Sequence, residues 1–161
     1  MKALFILLLS VWAQPCFSQE NTYSDLFFSF NYPSSYTVSS EKKEEGMERL
    51  QCVSEIGNGF MLQKILNKDP EVIAPIVVES LLKNPPDGYT PTQIGTAKKL
   101  ADGKILKGTI VEYKAGGSLF LYEVYPAKIK EGGIVILILM ADNKKDLSII
   151  NKFWETLKLI Q

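Results

Sequence analysis

The chain has 161 residues, with 18 basic and 18 acidic side chains and no histidine. That length fits one domain, and the missing imidazole removes the commonest general acid/base and the commonest metal ligand. The formal charge is zero and Arg49 is the only guanidinium, so neither a strong overall field nor bidentate phosphate recognition supports nucleic acid as a partner.

Met1 to Ser18 read as a secretory signal peptide. Lys2 supplies the positive start, and Ala3 to Ala13 form an uncharged apolar run of 11 residues. Pro15 then breaks the run, and the small residues Cys16 and Ser18 suit cleavage between Ser18 and Gln19. Eleven residues of helix span roughly 16 Å, short of the ~30 Å hydrocarbon core, which argues against a membrane anchor. Acylation at Cys16 is the lesser alternative, since Pro15 and Ala13 match the expected flanking residues poorly. Cleavage would leave residues 19–161 as a single exported domain, periplasmic or secreted, with formal charge −1. Cys52 would then be its only thiol, so the core and not a disulfide must stabilise it.

Gln19 to Asp25 are polar and read as a lead-in. Leu26 to Tyr32 alternate aromatic with small polar residues, the period of a half-buried strand. Pro33-Ser34-Ser35 turn the chain and Tyr36-Thr37-Val38 start a second short strand. Ser39 to Gly46 are a charge run, expected as a solvated loop. Met47 to Glu55 and Phe60 to Leu66 read as strands joined by a turn containing Asn58-Gly59. Cys52 lies in the first of them and reads as a small buried hydrophobe.

Asp69-Pro70-Glu71 is a helix start: a carboxylate cap, Pro at the first position and an acidic first turn. Pro75 removes an interior hydrogen bond, so the first turn is expected to be irregular or the regular helix to begin near Ala74. The expected apolar stripe is Ile73, Ile76, Val77, Leu81 and Leu82, and Asn84 to Gly88 stop the helix. Strand-like runs follow at Tyr89 to Leu100, Ile105 to Tyr113 and Ser118 to Tyr125, separated by glycine-bearing turns. Ile134 to Met140 are seven consecutive apolar residues, the composition of a strand covered on both faces. A final helix is predicted from a cap at Asp142 or Asn143 through Leu147, Ile150, Phe153, Trp154, Leu157 and Ile160.

Catalytic and cofactor motifs are missing: no nucleophile elbow, phosphate-binding loop, dinucleotide fingerprint, zinc-protease helix or calcium loop occurs. No metal site and no cofactor are expected. Tyr113, Tyr122 and Tyr125 fall on adjacent predicted strands. They are the candidate binding residues, because tyrosine offers contact area and a hydroxyl at low entropic cost. The alternative for all three is core packing with the hydroxyl at its margin.

The segment Phe28-Ser29-Phe30-Asn31-Tyr32-Pro33-Ser34-Ser35-Tyr36 resembles the aromatic opening of PsbP-like domains. The tyrosine-rich strands, the apolar run at Ile134 to Met140 and the closing Phe153-Trp154-Glu155-Thr156-Leu157 resemble the same group. The resemblance implies an α+β fold, an α-β-α sandwich with a mostly antiparallel central sheet, and a role as an accessory or binding module. Known relatives of that superfamily include a photosystem protein linked to histidine-containing metal sites and a nuclear import factor. With no histidine and an export signal, this chain departs from both, and no functional residue carries over.

Three functions follow as expectations. The first is an exported, non-catalytic module that binds an envelope or secreted protein through a sheet edge or its tyrosine-bearing face. The second is a small-molecule carrier or sensor with an apolar pocket between sheet and helix. The third is a hydrolase working through carboxylates.

Overall fold

The computed structural model describes residues 20–44, 47–53, 59–66, 68–130, 132–140 and 148–160. The expected signal peptide and its expected cleavage point at Ser18 and Gln19, Cys16, the expected turn at Asn58 and the expected caps Asp142 and Asn143 lie outside these residues.

Among the described residues ten strands and two helices follow in the order β1 (Glu20–Ser24), β2 (Phe28–Pro33), β3 (Thr37–Glu44), β4 (Met47–Val53), β5 (Gly59–Leu66), α1 (Pro70–Lys83), β6 (Thr90–Lys99), β7 (Ile105–Ala115), β8 (Ser118–Ile129), β9 (Gly132–Met140), α2 (Ser148–Thr156) and β10 (Lys158–Leu159). Seven strands form one antiparallel sheet in the order β3-β4-β5-β9-β8-β7-β6. A small antiparallel sheet, β1-β2-β10, lies apart from it.

Strand alternation sends successive side chains to opposite faces of the large sheet, and each face has its own core. On one face Leu50, Cys52, Phe60, Leu62, Ile134, Ile136 and Ile138 meet α2 and the small sheet through Phe28, Phe30, Ile149, Phe153 and Trp154. On the other, Ile65, Val111, Tyr113, Val124 and Val135 meet Ala74 and Val78 of α1. The fold is therefore α+β, with one helix on each side of the sheet. β9 is the central strand, and its apolar run serves both cores.

Five sequence expectations need correction. The polar lead-in forms β1, paired residue for residue with β2. The charge run is an edge strand, β3, and not a loop; its register with β4 slips between Lys42 and Glu44. Charges and a bulge are what an edge strand uses to stay unpaired on its outer side. In the first helix, α1 begins at Pro70, capped by Asp69 accepting from the Glu71 N–H at 3.0 Å, and continues through Pro75. Its fully buried positions are Pro70, Ala74 and Val78; Ile73, Val77, Leu81 and Leu82 of the expected stripe pack half-buried against the same core, and only Ile76, 56% exposed, falls outside it. Small residues take the fully buried positions because α1 approaches β9 closely: a Cβ on Gly133 would lie 2.4 Å from the Pro70 ring. Finally, α2 ends at Thr156, and Lys158–Leu159 leave it to pair with β2 as β10, taking Ile160 off the helix.

Candidate functional site

Tyr113 and Tyr122 lie on the α1 face of β7 and β8, with ring centroids 5.9 Å apart at a steep angle. Tyr125 belongs to the opposite core, where its ring meets Trp154 edge-on at 4.9 Å. The three rings thus do not share a surface. Tyr122 and Tyr125 are three positions apart on one strand, an odd spacing that alternation sends to opposite faces. Tyr113 is 1% and Tyr125 0% exposed, and only Tyr122 is half-buried. The Tyr113 hydroxyl donates to the Leu81 carbonyl at 2.7 Å, which ties α1 to the sheet. Burial pushes the Tyr113 phenol upward and the Tyr125 phenol far upward.

Sequence reasoning passed over two buried charged groups. Glu123, 6% exposed, accepts from the Tyr125 hydroxyl at 2.8 Å. Lys64, on the α2 face of β5, meets Asp25 and Glu48, each at 2.9 Å, and its ammonium lies 4.6 Å from the Phe27 ring centroid. Burial alone would lower the Lys64 pKa, but hydrogen bonds and charge from Glu48 and Asp25 raise it overall. Asp25 also accepts from the N–H groups of Phe27 and Phe28 at 2.7 and 2.9 Å, fixing the entry to β2. This trio pins the small sheet to the large one. Cys52 is fully buried, and desolvation lifts its thiol to about 12, the value of a packing residue and not of a nucleophile. Among the described residues no group of three or more Cys, Asp or Glu is placed to hold a metal ion.

Two grooves flank α1. One, of about 390 Å³, runs between α1 and β6–β8 over Ala74, Pro75, Val78 and Val124, with Glu71, Glu79 and Lys107 also in its lining. Glu71 and Glu79 are eight helical residues apart, a rise of roughly 12 Å. Both are exposed, and Glu79 pairs with Lys83 one turn further along α1. The other groove, of about 320 Å³, lies by the C-terminal end of α1 over Val53, Met61, Leu81, Leu137, Leu139 and Tyr122.

The sheet also ends in two unlike edges. β3 is charged and bulged. β6 pairs with β7 over ten consecutive residues without a register slip. Leu100, in register with Lys104, donates its N–H to the Lys104 carbonyl at 2.8 Å, so the even-numbered residues of β6 bond to β7. By alternation, Gln93, Gly95 and Ala97 turn N–H and C=O outward, and among the described residues no strand pairs with that side. Pro91, which has no N–H to offer, takes the first outward position, where an edge tolerates it.

No protein-family model matches the chain, and no curated protein matches its sequence. Its structure is similar to the solution structure of cyanobacterial PsbP (CyanoP) from Synechocystis sp. PCC 6803, with a TM-score of 0.57 over 88% of this chain and 93% of that one, at 13% identity. The fold is PsbP-like. Among the described residues no helix is long and apolar enough to cross a membrane.

Proposed function

We propose that the protein is an exported, non-catalytic binding module that engages an extended protein segment along β6. The observation that carries this reading is the contrast between the edges: β3 is guarded by charge and a bulge, and β6 is regular, long and, among the described residues, open. An added strand gains main-chain hydrogen bonds from Gln93, Gly95 and Ala97, the mode called β-augmentation. The PsbP-like fold is consistent with an accessory role. So is the assignment of the buried ionisable groups to structural pairs, Lys64 with Asp25 and Glu48, and Glu123 with Tyr125. Export rests on the signal-peptide reading of residues 1–18.

A photo-crosslinking residue at position 95 tests the assignment of the edge. In envelope extract it should form a discrete protein adduct, which Ala97→Pro abolishes, and the same probe at Glu41 on β3 should form none. Equal labelling from both edges would refute the reading.

The apolar groove beside Tyr122 supports a second reading, a carrier for a small apolar molecule. It requires a ligand-dependent rise in Tm that Leu137→Trp, which fills the groove, removes.

A further inference from the structure

Gly95 is the middle of the three outward-turned residues of β6, and a side chain there would meet nothing within 4 Å. Packing within the chain therefore does not demand a glycine at this position. Two copies of β6 run antiparallel with Gly95 on the two-fold axis would pair Gly95 with Gly95, and Gln93 with Ala97 in both directions. Each of these residues turns its N–H and C=O toward the seam, so the pairs are hydrogen-bonded pairs.

The side chains accept this register. On the α2 face Ile94, 48% exposed, comes opposite Thr96 of the other copy. On the α1 face Gly95 and Ala97 leave the seam low. Lys98 falls opposite Thr92, and Lys99 opposite Pro91, so no like charges face each other. The Lys98 residues of the two copies stand about 20 Å apart along the seam, beyond the ~8 Å Debye length of physiological salt.

We infer that the partner of β6 is a second copy of this chain, paired antiparallel about Gly95. The inference rests on the reading of β6 as the binding edge and names its occupant. The two seven-stranded sheets become one of fourteen strands. The two grooves between α1 and β6–β8, each with Gln93 in its lining, then face each other across the low seam of Gly95 and Ala97. A seam of one strand per copy buries less than the ~800 Å² per partner of a standard stable interface, so association is concentration-dependent and not permanent.

Sedimentation equilibrium on the purified protein, from roughly 5 to 500 μM, should show dimer growing by mass action. Gly95→Pro should weaken it at least about tenfold while leaving the β6–β7 ladder intact, because the lost N–H is the outward one. Disulfide trapping, with Cys16→Ser as background, gives a readout independent of that variant's stability. Gly95→Cys places two thiols on residues with Cα atoms about 5.5 Å apart, in the range a disulfide needs. In Ala97→Cys the two copies of the residue lie roughly 13 Å apart. Gly95→Cys should therefore crosslink at least about tenfold faster than Ala97→Cys. A monomer across the whole range, or equal crosslinking at both positions, overturns the second copy as partner. If Ala97→Pro still abolishes the envelope adduct in that case, the binding edge stands and only its occupant is wrong; an adduct indifferent to Ala97→Pro removes the edge itself.

Discussion

Glu123 and Tyr125 sit two positions apart on β8, so alternation sends both to the α2 face, where the phenol supplies the carboxylate with its donor. Tyr125→Phe leaves a buried carboxylate oxygen without that donor and should cost about 1–3 kcal/mol in urea unfolding. Gly108 makes room for the same ring: a Cβ there would lie 2.3 Å from it and 2.6 Å from the Val124 carbonyl oxygen. Gly108→Ala should lose about 1–3 kcal/mol by overpacking. Adding Tyr125→Phe should not restore that loss, because the clash is with ring carbons and backbone. Lys64→Met strands Asp25 and Glu48 at the junction of the two sheets. With those carboxylates 18% and 28% exposed, the expected loss is about 2–3 kcal/mol, below that of a fully buried pair. A stability within 0.5 kcal/mol of wild type would show that the trio does not hold the sheets together. At this scale the sequence was legible for Cys52. The odd spacing of Tyr122 and Tyr125 was also readable, and it already contradicted a single tyrosine face. Lys64 and Glu123 were not legible, since a charge reads as surface until the topology brings its partners to it.

Helix α1 shows how an element is decided by what it packs on. Its start follows from Asp69-Pro70-Glu71 and most of its apolar stripe from hydrophobicity, but its most buried positions do not, because close approach to β9 selects Pro70 and Ala74 over Ile76. Pro75 stays exposed within the helix and denies the Glu71 carbonyl its i+4 donor. Pro75→Ala should therefore raise stability by about 1–3 kcal/mol in urea unfolding, and a loss instead would mean that the ring contributes packing beside the groove. The same dependence on neighbours explains β1, β3 and β10. Each is polar or very short, and each is a strand because a neighbour anchored in the core by alternate apolar residues, β2 or β4, presents a ladder to it. Propensity alone cannot find such strands. The apolar strands β5 and β9 were legible because their burial is intrinsic, and the openness of β6 was not, because an edge is defined only once all the other strands have neighbours.

For the molecule as a whole, the shifted groups inside it point in one pH direction. Cys52, Tyr113 and Tyr125 are buried neutral, and Lys64 is held as a cation by Asp25 and Glu48. Each keeps its proton to a higher pH in the folded chain than in the unfolded one, where thiol, phenol and ammonium titrate near 8.5, 10 and 10.4. The unfolded state thus binds fewer protons above about pH 9, and stability, fully present below that, must fall as pH rises. Cys52 acts first. Its contribution is lost from the unfolded thiol value up to its folded value of about 12, with a slope approaching 1.4 kcal/mol per pH unit. Urea midpoints measured from pH 7 to 11 should be flat to about pH 8.5 and then decline, steepening near 10 as the phenols and Lys64 join. Cys52→Ala should lower the plateau through lost packing yet flatten the decline between roughly pH 9 and 10, so that the two curves converge. Parallel curves would mean that the thiol ionises as readily in the folded sheet as in the open chain. That outcome would contradict its burial on the α2 face of β4 beside Phe60, and with it the two-core organisation in which that face is closed to water.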